Sequence, residues 1–313
     1  YSGLEQSSTG LVLPVSPSHI RQSIETLSAT PRNSHENPEQ HLEAANWIAN
    51  EFEKLGLAVV RQEFEIPNQS PPRTGSNIVA SLNSSSNAPS VLIGAHYDTV
   101  PGSPGADDNA SGVAAMIECA RVLVEANSSR TVIFAAFDAE EMQPPVEGLH
   151  GSTALVAGLS SNNRPSAAII LESIGFSSTT LKQTLPGSFR VLFRRAYKAL
   201  KRQKFAANSL LILSKRDSRQ ISRTLEHTAA QPAIALPILP LEVPWWMPLV
   251  RNLRRSDHAP FWKAGIPAVM ISDTANFRSP HYHRSSDTAD TIDIELVAQA
   301  TRTIVTAIDS REI

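Results

Sequence analysis

Acids and imidazoles in this chain gather at the ends of apolar runs. The stretch VLIGAHYD over residues 91–98 ends on His96 and Asp98, which are two apart and so lie on one face of an extended backbone. One can ligate a metal while the other braces it, because a ligating histidine usually gives its second ring N–H to a carboxylate, carbonyl or water. TVIFAAFDAEE over 131–141 ends on Asp138, Glu140 and Glu141. Adjacent carboxylates project in different directions from extended backbone, so one can bind metal while its neighbour faces the water that the metal activates. AIILE over 168–172 delivers a further carboxylate, Glu172. Each acid alone reads as a solvated loop charge, but three apolar runs that each end in ligand-type residues point to a metal centre.

Two loop segments add donors. GADDNASG over 105–112 leads into a helical pattern, where Asp or Asn also serves as an N-cap, a role compatible with metal binding. SPHYHRSSDT over 279–288 carries His281 and His283 ahead of the last helical pattern, and only one of them need bind. Alternating elements must position these groups. Strands are expected at 58–66, 76–82, 91–95, 131–137, 167–171 and 268–272, and helices at 19–29, from 38 onward, and at 112–125, 189–201 and 294–308. This alternation, with several strands almost wholly apolar, predicts an α/β fold: a central, mostly parallel (mixed) sheet with helices on both faces. In such a sheet ligands collect beyond the carboxyl ends of the strands, where the acids and imidazoles sit.

The 313 residues suffice for a full core and fit one domain over 18–313, preceded by a Ser/Gly-rich flexible arm over 1–17. A net charge of -2 gives no global drive toward nucleic acid or anionic membrane. Cys119 is the single cysteine, which excludes an intrachain disulfide, a CxxC redox pair and a thiolate-built zinc site, so a metal would rest on His, Asp and Glu. Within an apolar helical pattern Cys119 reads as core. The longest apolar stretch, 232–250, is broken by Pro237, Pro240, Pro244 and Pro248 and carries Glu242, so no transmembrane helix is expected. No signal-peptide pattern, GxSxG elbow, GxxxxGK[ST] loop or GxGxxG fingerprint is present. Ser256 reads as a helix cap, which favours a structural role for His258. His19, His35, His41, His150 and His227 read as surface or loop residues, and Trp245 and Trp246 as a pocket wall or the packing of a proline-rich loop.

In order along the chain, AHYD at 95–98, GADDNASG at 105–112, the pair Glu140–Glu141, LESIG at 171–175, SDHAPF at 256–261 and YHRSSDT at 282–288 form a set. The set resembles the zinc-dependent exopeptidase family of secreted bacterial double-zinc aminopeptidases, glutamate carboxypeptidases and glutaminyl cyclases, over roughly residues 38–310. The resemblance implies the family's fold, a peptide substrate and two Zn2+ ions, although such ligands also accept other divalent metals. It implies that His96 and Glu172 hold one zinc, that Glu141 and His283 hold the other, and that Asp108 bridges them. It makes Glu140 the general base, Asp98 the brace on His96 and Tyr282 a group that steadies the oxyanion, and it implies a cis peptide between Asp108 and Asn109. It also points to a secreted or periplasmic location. Glu172 stands where family aminopeptidases often have aspartate. The stretch 142–150, with Pro144 and Pro145, is longer than the family's usual link to the Gly-Ser pair at 151–152.

Most of this favours an aminopeptidase. Rivals on the same scaffold are a carboxypeptidase or acidic-peptide hydrolase, a single-zinc glutaminyl cyclase, and a binding module without catalysis. A variable segment at about 176–256, on the substrate side, bears on the choice. Residues 188–256 hold 14 Lys or Arg against Asp217, Glu226 and Glu242, leaving the rest of the chain at about -13. Arg190, Arg194, Arg195, Lys198, Lys201 and Arg202 fall in a helical pattern and read as a solvated face, whereas Arg251, Arg254 and Arg255 directly precede SDHAPF and are placed to reach the substrate channel.

Overall fold

Ten strands and nine helices make up the fold in the computed structural model, which describes residues 13–67, 72–83, 90–141, 148–244, 251–310 and 313, with the side chains of 251 and 252 excepted. The strands are β1 (Ala58–Ile66), β2 (Arg73–Leu82), β3 (Val91–His96), β4 (Val132–Phe137), β5 (Ala167–Glu172), β6 (Ser178–Lys182), β7 (Ala206–Ala207), β8 (Leu210–Ser214), β9 (Ile238–Glu242) and β10 (Ala268–Ser272). The helices are α1 (Pro17–Leu27), α2 (Pro38–Lys54), α3 (Gly112–Glu125), α4 (His150–Ala157), α5 (Phe189–Leu192), α6 (Arg194–Arg202), α7 (Arg219–Ala229), α8 (His258–Lys263) and α9 (Ile294–Asp309).

Eight strands form one sheet in the order β1-β2-β4-β3-β5-β10-β8-β9, and β6 pairs with β7 apart from it. The central strands β4, β3, β5 and β10 run parallel, while β2 and β8 flank them antiparallel. β3 is buried along its whole length, as a strand covered on both faces must be. The period-two alternation of strand side chains splits the core in two. Ile93, Phe134, Ile169, Leu171 and Val269 point to the face covered by α1, α3 and α9, while Leu92, Phe137, Ala168, Ile170 and Ala268 point to the face covered by α4, α6 and α8.

Where expectation and structure differ, the cause is local. α1 starts at Pro17 rather than 19 because the Ser16 hydroxyl accepts from the His19 N–H and proline suits the first turn. Of the expected arm, residues 1–12 lie outside the described residues, Leu13 is buried, and Pro17 is helical. The expected helix over 189–201 is two pieces, α5 and α6, broken at Phe193 (φ -123°, ψ 57°). β6, β7, β8, β9, α4, α7 and α8 were not expected. Among the described residues no helix is long and apolar enough to cross a membrane.

Candidate metal centre

The carboxyl ends of β3, β4 and β5, together with the loop that follows β10, converge on one point. β3 presents His96, the turn after β4 presents Glu140 and Glu141, β5 ends on Glu172, and the post-β10 loop brings His283. Asp108 enters from the segment between β3 and α3, where Asp108 (φ -109°, ψ 85°) and Asn109 (φ -137°, ψ 39°) leave helical geometry and are joined by a cis peptide bond, as the resemblance implied. Gly105 opens that segment with φ +62°, and a Cβ there would strike the Asp108 carbonyl. Ala139, Ser173 and His283 also hold left-handed backbone (φ 53°, 48° and 58°), so three non-glycine residues at or beside the centre occupy a sparsely populated region.

Asp108 presents one oxygen to each histidine. Its Oδ1 lies 3.2 Å from His96 Nε2 and its Oδ2 3.1 Å from His283 Nε2. Glu172 Oε2 is 3.6 Å from His96 Nε2, and Glu141 Oε1 is 3.2 Å from His283 Nε2. The donor atoms of His96, Asp108 and Glu172 lie within 4.8 Å of one another, and so do those of Asp108, Glu141 and His283. All four facing atoms on His96, Asp108 and His283 are buried without a hydrogen-bond partner, although buried polar groups are nearly always satisfied. Orphaned imidazole nitrogens around a shared carboxylate fit the donor chemistry of a divalent metal. His281, by contrast, turns away: its Nδ1 bonds Ser286 Oγ at 3.0 Å and its ring meets Phe176 edge-on.

The electrostatics follow from burial opposed by pairing. Burial pushes Glu140 well above the ordinary carboxylate range against the opposing pull of His96, and it pushes Glu141 up to about 7 with help from Asp108. For Asp108 burial works the same way, but His283 and His96 overcome it and hold the group well below its usual value. Burial raises Tyr282, and the facing carboxylates of Asp108, Glu141 and Glu172 add to that.

Residues behind the centre fix its geometry. The Asp98 carboxylate accepts from the N–H groups of Glu140 (3.0 Å) and Glu141 (3.1 Å), and its Oδ1 stands 3.5 Å from His96 Nδ1, which also lies 3.2 Å from the Asp98 carbonyl. Asp98 therefore ties the end of β3 to the turn that carries both glutamates. Asp287 accepts from the N–H groups of Asp107 (2.9 Å) and Asp108 (3.2 Å). Arg32, fully buried, donates to the carbonyls of Tyr97, Pro104 and Gly105. Asn109 accepts from Gly112 N–H in the manner of a cap and also donates to the Leu171 carbonyl, which joins α3 to β5. Asp257, fully buried with both oxygens lacking a hydrogen-bond partner, is pushed up to about 7 by burial. Arg32 and Asp257 carried no assigned role in the sequence, and nothing in local spacing signals them because their partners are far along the chain.

Three expectations need correction. The Ser256 hydroxyl does not cap α8; it donates to Glu172 Oε2 at 2.7 Å. His41 is not a plain surface residue: its Nε2 lies 2.8 Å from Asp138 Oδ1 and its ring stacks on Tyr97 at 5.0 Å. His150 begins α4, with its Nε2 buried. His258 is buried against Trp262, with Nε2 3.0 Å from the Leu253 carbonyl. Tyr282 stacks on the His283 ring (3.8 Å), and its hydroxyl accepts from Arg255 at 3.3 Å. Trp245, Trp246 and most of the 142–150 stretch lie outside the described residues.

Comparisons with known proteins agree with this architecture. The model of peptidase family M28 matches residues 77–232 and 247–308. The uncharacterized protein YfbL of Escherichia coli K12 is 30% identical over 305 residues, 93% of this chain and 87% of that protein. Aminopeptidase YwaD of Bacillus subtilis 168 is 30% identical over 233 residues, 70% of this chain but 40% of YwaD. The solved structure of BSAP, a zinc aminopeptidase from Bacillus subtilis, has a TM-score of 0.71 at 19% identity, covering 96% of each chain, and so shares the fold. With a family match over most of its length and YfbL alike along nearly all of it, the chain belongs to peptidase family M28.

Proposed function

We propose that this chain is a zinc-dependent aminopeptidase that binds two ions, one held by His96 and Glu172, the other by Glu141 and His283, with Asp108 shared. The observation that carries this reading is Asp108 itself, buried, with one unpartnered oxygen facing each of two unpartnered imidazole nitrogens. A carboxylate that only bonded the two rings would need neither Glu172 nor Glu141 beside them. When bound, zinc supplies Lewis acidity that polarises the scissile carbonyl and makes a neighbouring water acidic at neutral pH.

The chain's own groups do the rest. Glu140 projects beside Glu141 from the same turn, and burial raises its proton affinity, which suits a carboxylate that takes the proton of the attacking water. It then delivers that proton to the leaving amine. Asp98 fixes the direction of this turn through both glutamate N–H groups. The Tyr282 hydroxyl, kept protonated by burial and by the surrounding carboxylates, is a donor at the mouth of the site. His283 is 32% exposed on its side chain while His96 is not exposed at all, so substrate approaches from the His283 side.

Aminopeptidase action needs a place for a substrate ammonium. Asp98, Asp108, Glu140, Glu141, Glu172 and Asp257 lie around two imidazoles, an acidic excess that two divalent ions and an ammonium would largely offset. Arg255 is the observation that favours the second reading, a carboxypeptidase: exposed, at the rim, and bonded to Tyr282, it suits a terminal carboxylate. Peptides blocked at either end separate the two. Amino-terminal acetylation is expected to abolish cleavage; if acetylated peptides are cut as fast as free ones and carboxyl-terminal amidation stops the reaction, the aminopeptidase assignment fails.

A further inference from the structure

The strongest feature outside the metal centre is α6. Arg194, Arg195, Lys198, Lys201 and Arg202 fall at i, i+1, i+4, i+7 and i+8, which places five cations within about a third of the helix circumference. Ala196 and Leu200, on the opposite side, are buried in the core layer with Leu213, Leu239, Leu241 and Phe261, so the basic face points directly away from the protein. All five side chains are exposed, and among the described residues none of them is in an ion pair. Nor does the sequence supply counter-charges nearby: no Asp or Glu occurs between Glu172 and Asp217. The strip is extended at one end by Lys204 and by Lys182, whose strand β6 pairs with Ala206 just after α6.

A stripe of this density is more than a solvated face requires. Solvated helix faces usually intersperse both signs, since like charges at i, i+4 repel and destabilise the helix. The aliphatic neighbours narrow the partner. Four large hydrophobic side chains are exposed among the described residues, and two of them are Val191 (72%) in α5, which directly precedes α6, and Leu181 (43%) in β6, which pairs with the segment just after α6. Among the described residues the local aromatic rings are half-buried and pack in pairs, Phe189 on Phe193 and Tyr197 on Phe205, rather than standing out as a stacking platform for bases. Cations flanked by exposed aliphatic groups, with the described rings nearby packed in pairs, match a lipid headgroup layer better than a nucleic acid.

We propose that the α6 face docks this peptidase on an anionic lipid surface, electrostatically and reversibly, with Val191 and Leu181 making the shallow apolar contact. A near-neutral chain thereby acquires membrane affinity through uneven placement of its charge. Binding requires no metal and no turnover, so it stands or falls independently of the catalytic reading.

Cosedimentation of the full chain with phosphatidylcholine vesicles containing about 30% phosphatidylglycerol, against pure phosphatidylcholine vesicles, tests it. Each basic residue near such a surface contributes about fivefold to partitioning, so the triple variant Arg195→Gln, Lys198→Gln, Arg202→Gln should bind about a hundredfold more weakly. Raised salt should weaken the wild type more steeply than the variant, which keeps Arg194, Lys201, Lys204 and Lys182. The charge-conserving set Arg195→Lys, Lys198→Arg, Arg202→Lys should bind like wild type, and an unchanged melting midpoint in both sets shows that the fold is intact. Equal partitioning onto neutral and anionic vesicles, or an unweakened triple variant, would overturn the proposal. So would retention of duplex DNA or RNA at physiological salt without vesicle binding.

Discussion

Asp98→Asn isolates the part of the site that depends on geometry rather than on ligand chemistry. The wild-type carboxylate accepts from two backbone N–H groups, those of Glu140 and Glu141, at 3.0 and 3.1 Å, with His96 Nδ1 at 3.5 Å. An asparagine has the same outline but one acceptor oxygen, and its amide nitrogen must then face a second donor. One buried N–H loses a charged acceptor, at a cost of about 1.5–3 kcal/mol. If that cost falls on the orientation of the Glu140–Glu141 turn, kcat/KM drops by about tenfold to two-hundredfold, since each 1.36 kcal/mol is tenfold in rate. The assay is steady-state hydrolysis of an aminoacyl reporter by wild type and variant at matched metal content, with the thermal midpoint measured alongside. A variant within twofold of wild type at equal metal content would refute the view that Asp98 orients this turn.

Glu140→Gln should retain bound metal while turnover falls by about 10² to 10⁴, the usual worth of general acid-base catalysis; retention of a tenth of wild-type turnover would remove Glu140 from that role. Ser256→Ala removes the 2.7 Å hydrogen bond to Glu172 and should weaken zinc binding by about tenfold, read by competition with a chelating dye. For His41, burial favours the neutral ring, but the Asp138 carboxylate outweighs it and raises the pKa above the unfolded value near 6.5. The charged pair therefore stabilises the fold fully below about pH 6.5, and the contribution is lost as pH rises through the folded value. His41→Ala should thus cost about 1.5–3 kcal/mol at about pH 6 and less at about pH 9, measured by denaturant unfolding; a loss that grows with pH would contradict this.

Much of the sheet was legible because its central strands are apolar runs bounded by polar turns. β1, α3 and β10 begin and end where periodicity places them, and β5 and α9 differ by one residue. The edge of the sheet was less legible. β9 contains Pro240, which argues against a central strand but is tolerated at an edge, where its missing N–H faces no partner. β8 is a five-residue strand with an apolar run of four, Leu210 to Leu213, inside a basic segment, too short to distinguish from buried helix. α4 and α8 are eight and six residues long, about two turns each, too brief for an apolar period to stand out.

The site divides along the same line. His96, Glu141 and Glu172 stood out because each follows an apolar strand, and His283 was separable from His281 only by resemblance until the fold showed which ring faces Asp108. The supporting groups were hidden by sequence distance. Arg32 reaches the loop at Pro104 and Gly105, His41 reaches Asp138, and Ser256 reaches Glu172. A short-range rule gives a serine before a helix its cap role, and here the half-buried Glu172 carboxylate competes successfully for that hydroxyl because a carboxylate acceptor makes the stronger bond.

The central claim is that Asp108 is shared between two ions. Metal content per chain, determined by elemental analysis after zinc loading and removal of excess, tests it most directly on wild type and Asp108→Ala in parallel. The account predicts about two zinc per wild-type chain, with both lost or greatly weakened in the variant, because its oxygens complete both donor sets. One zinc or none in the wild type, or an unchanged stoichiometry in Asp108→Ala, would contradict it.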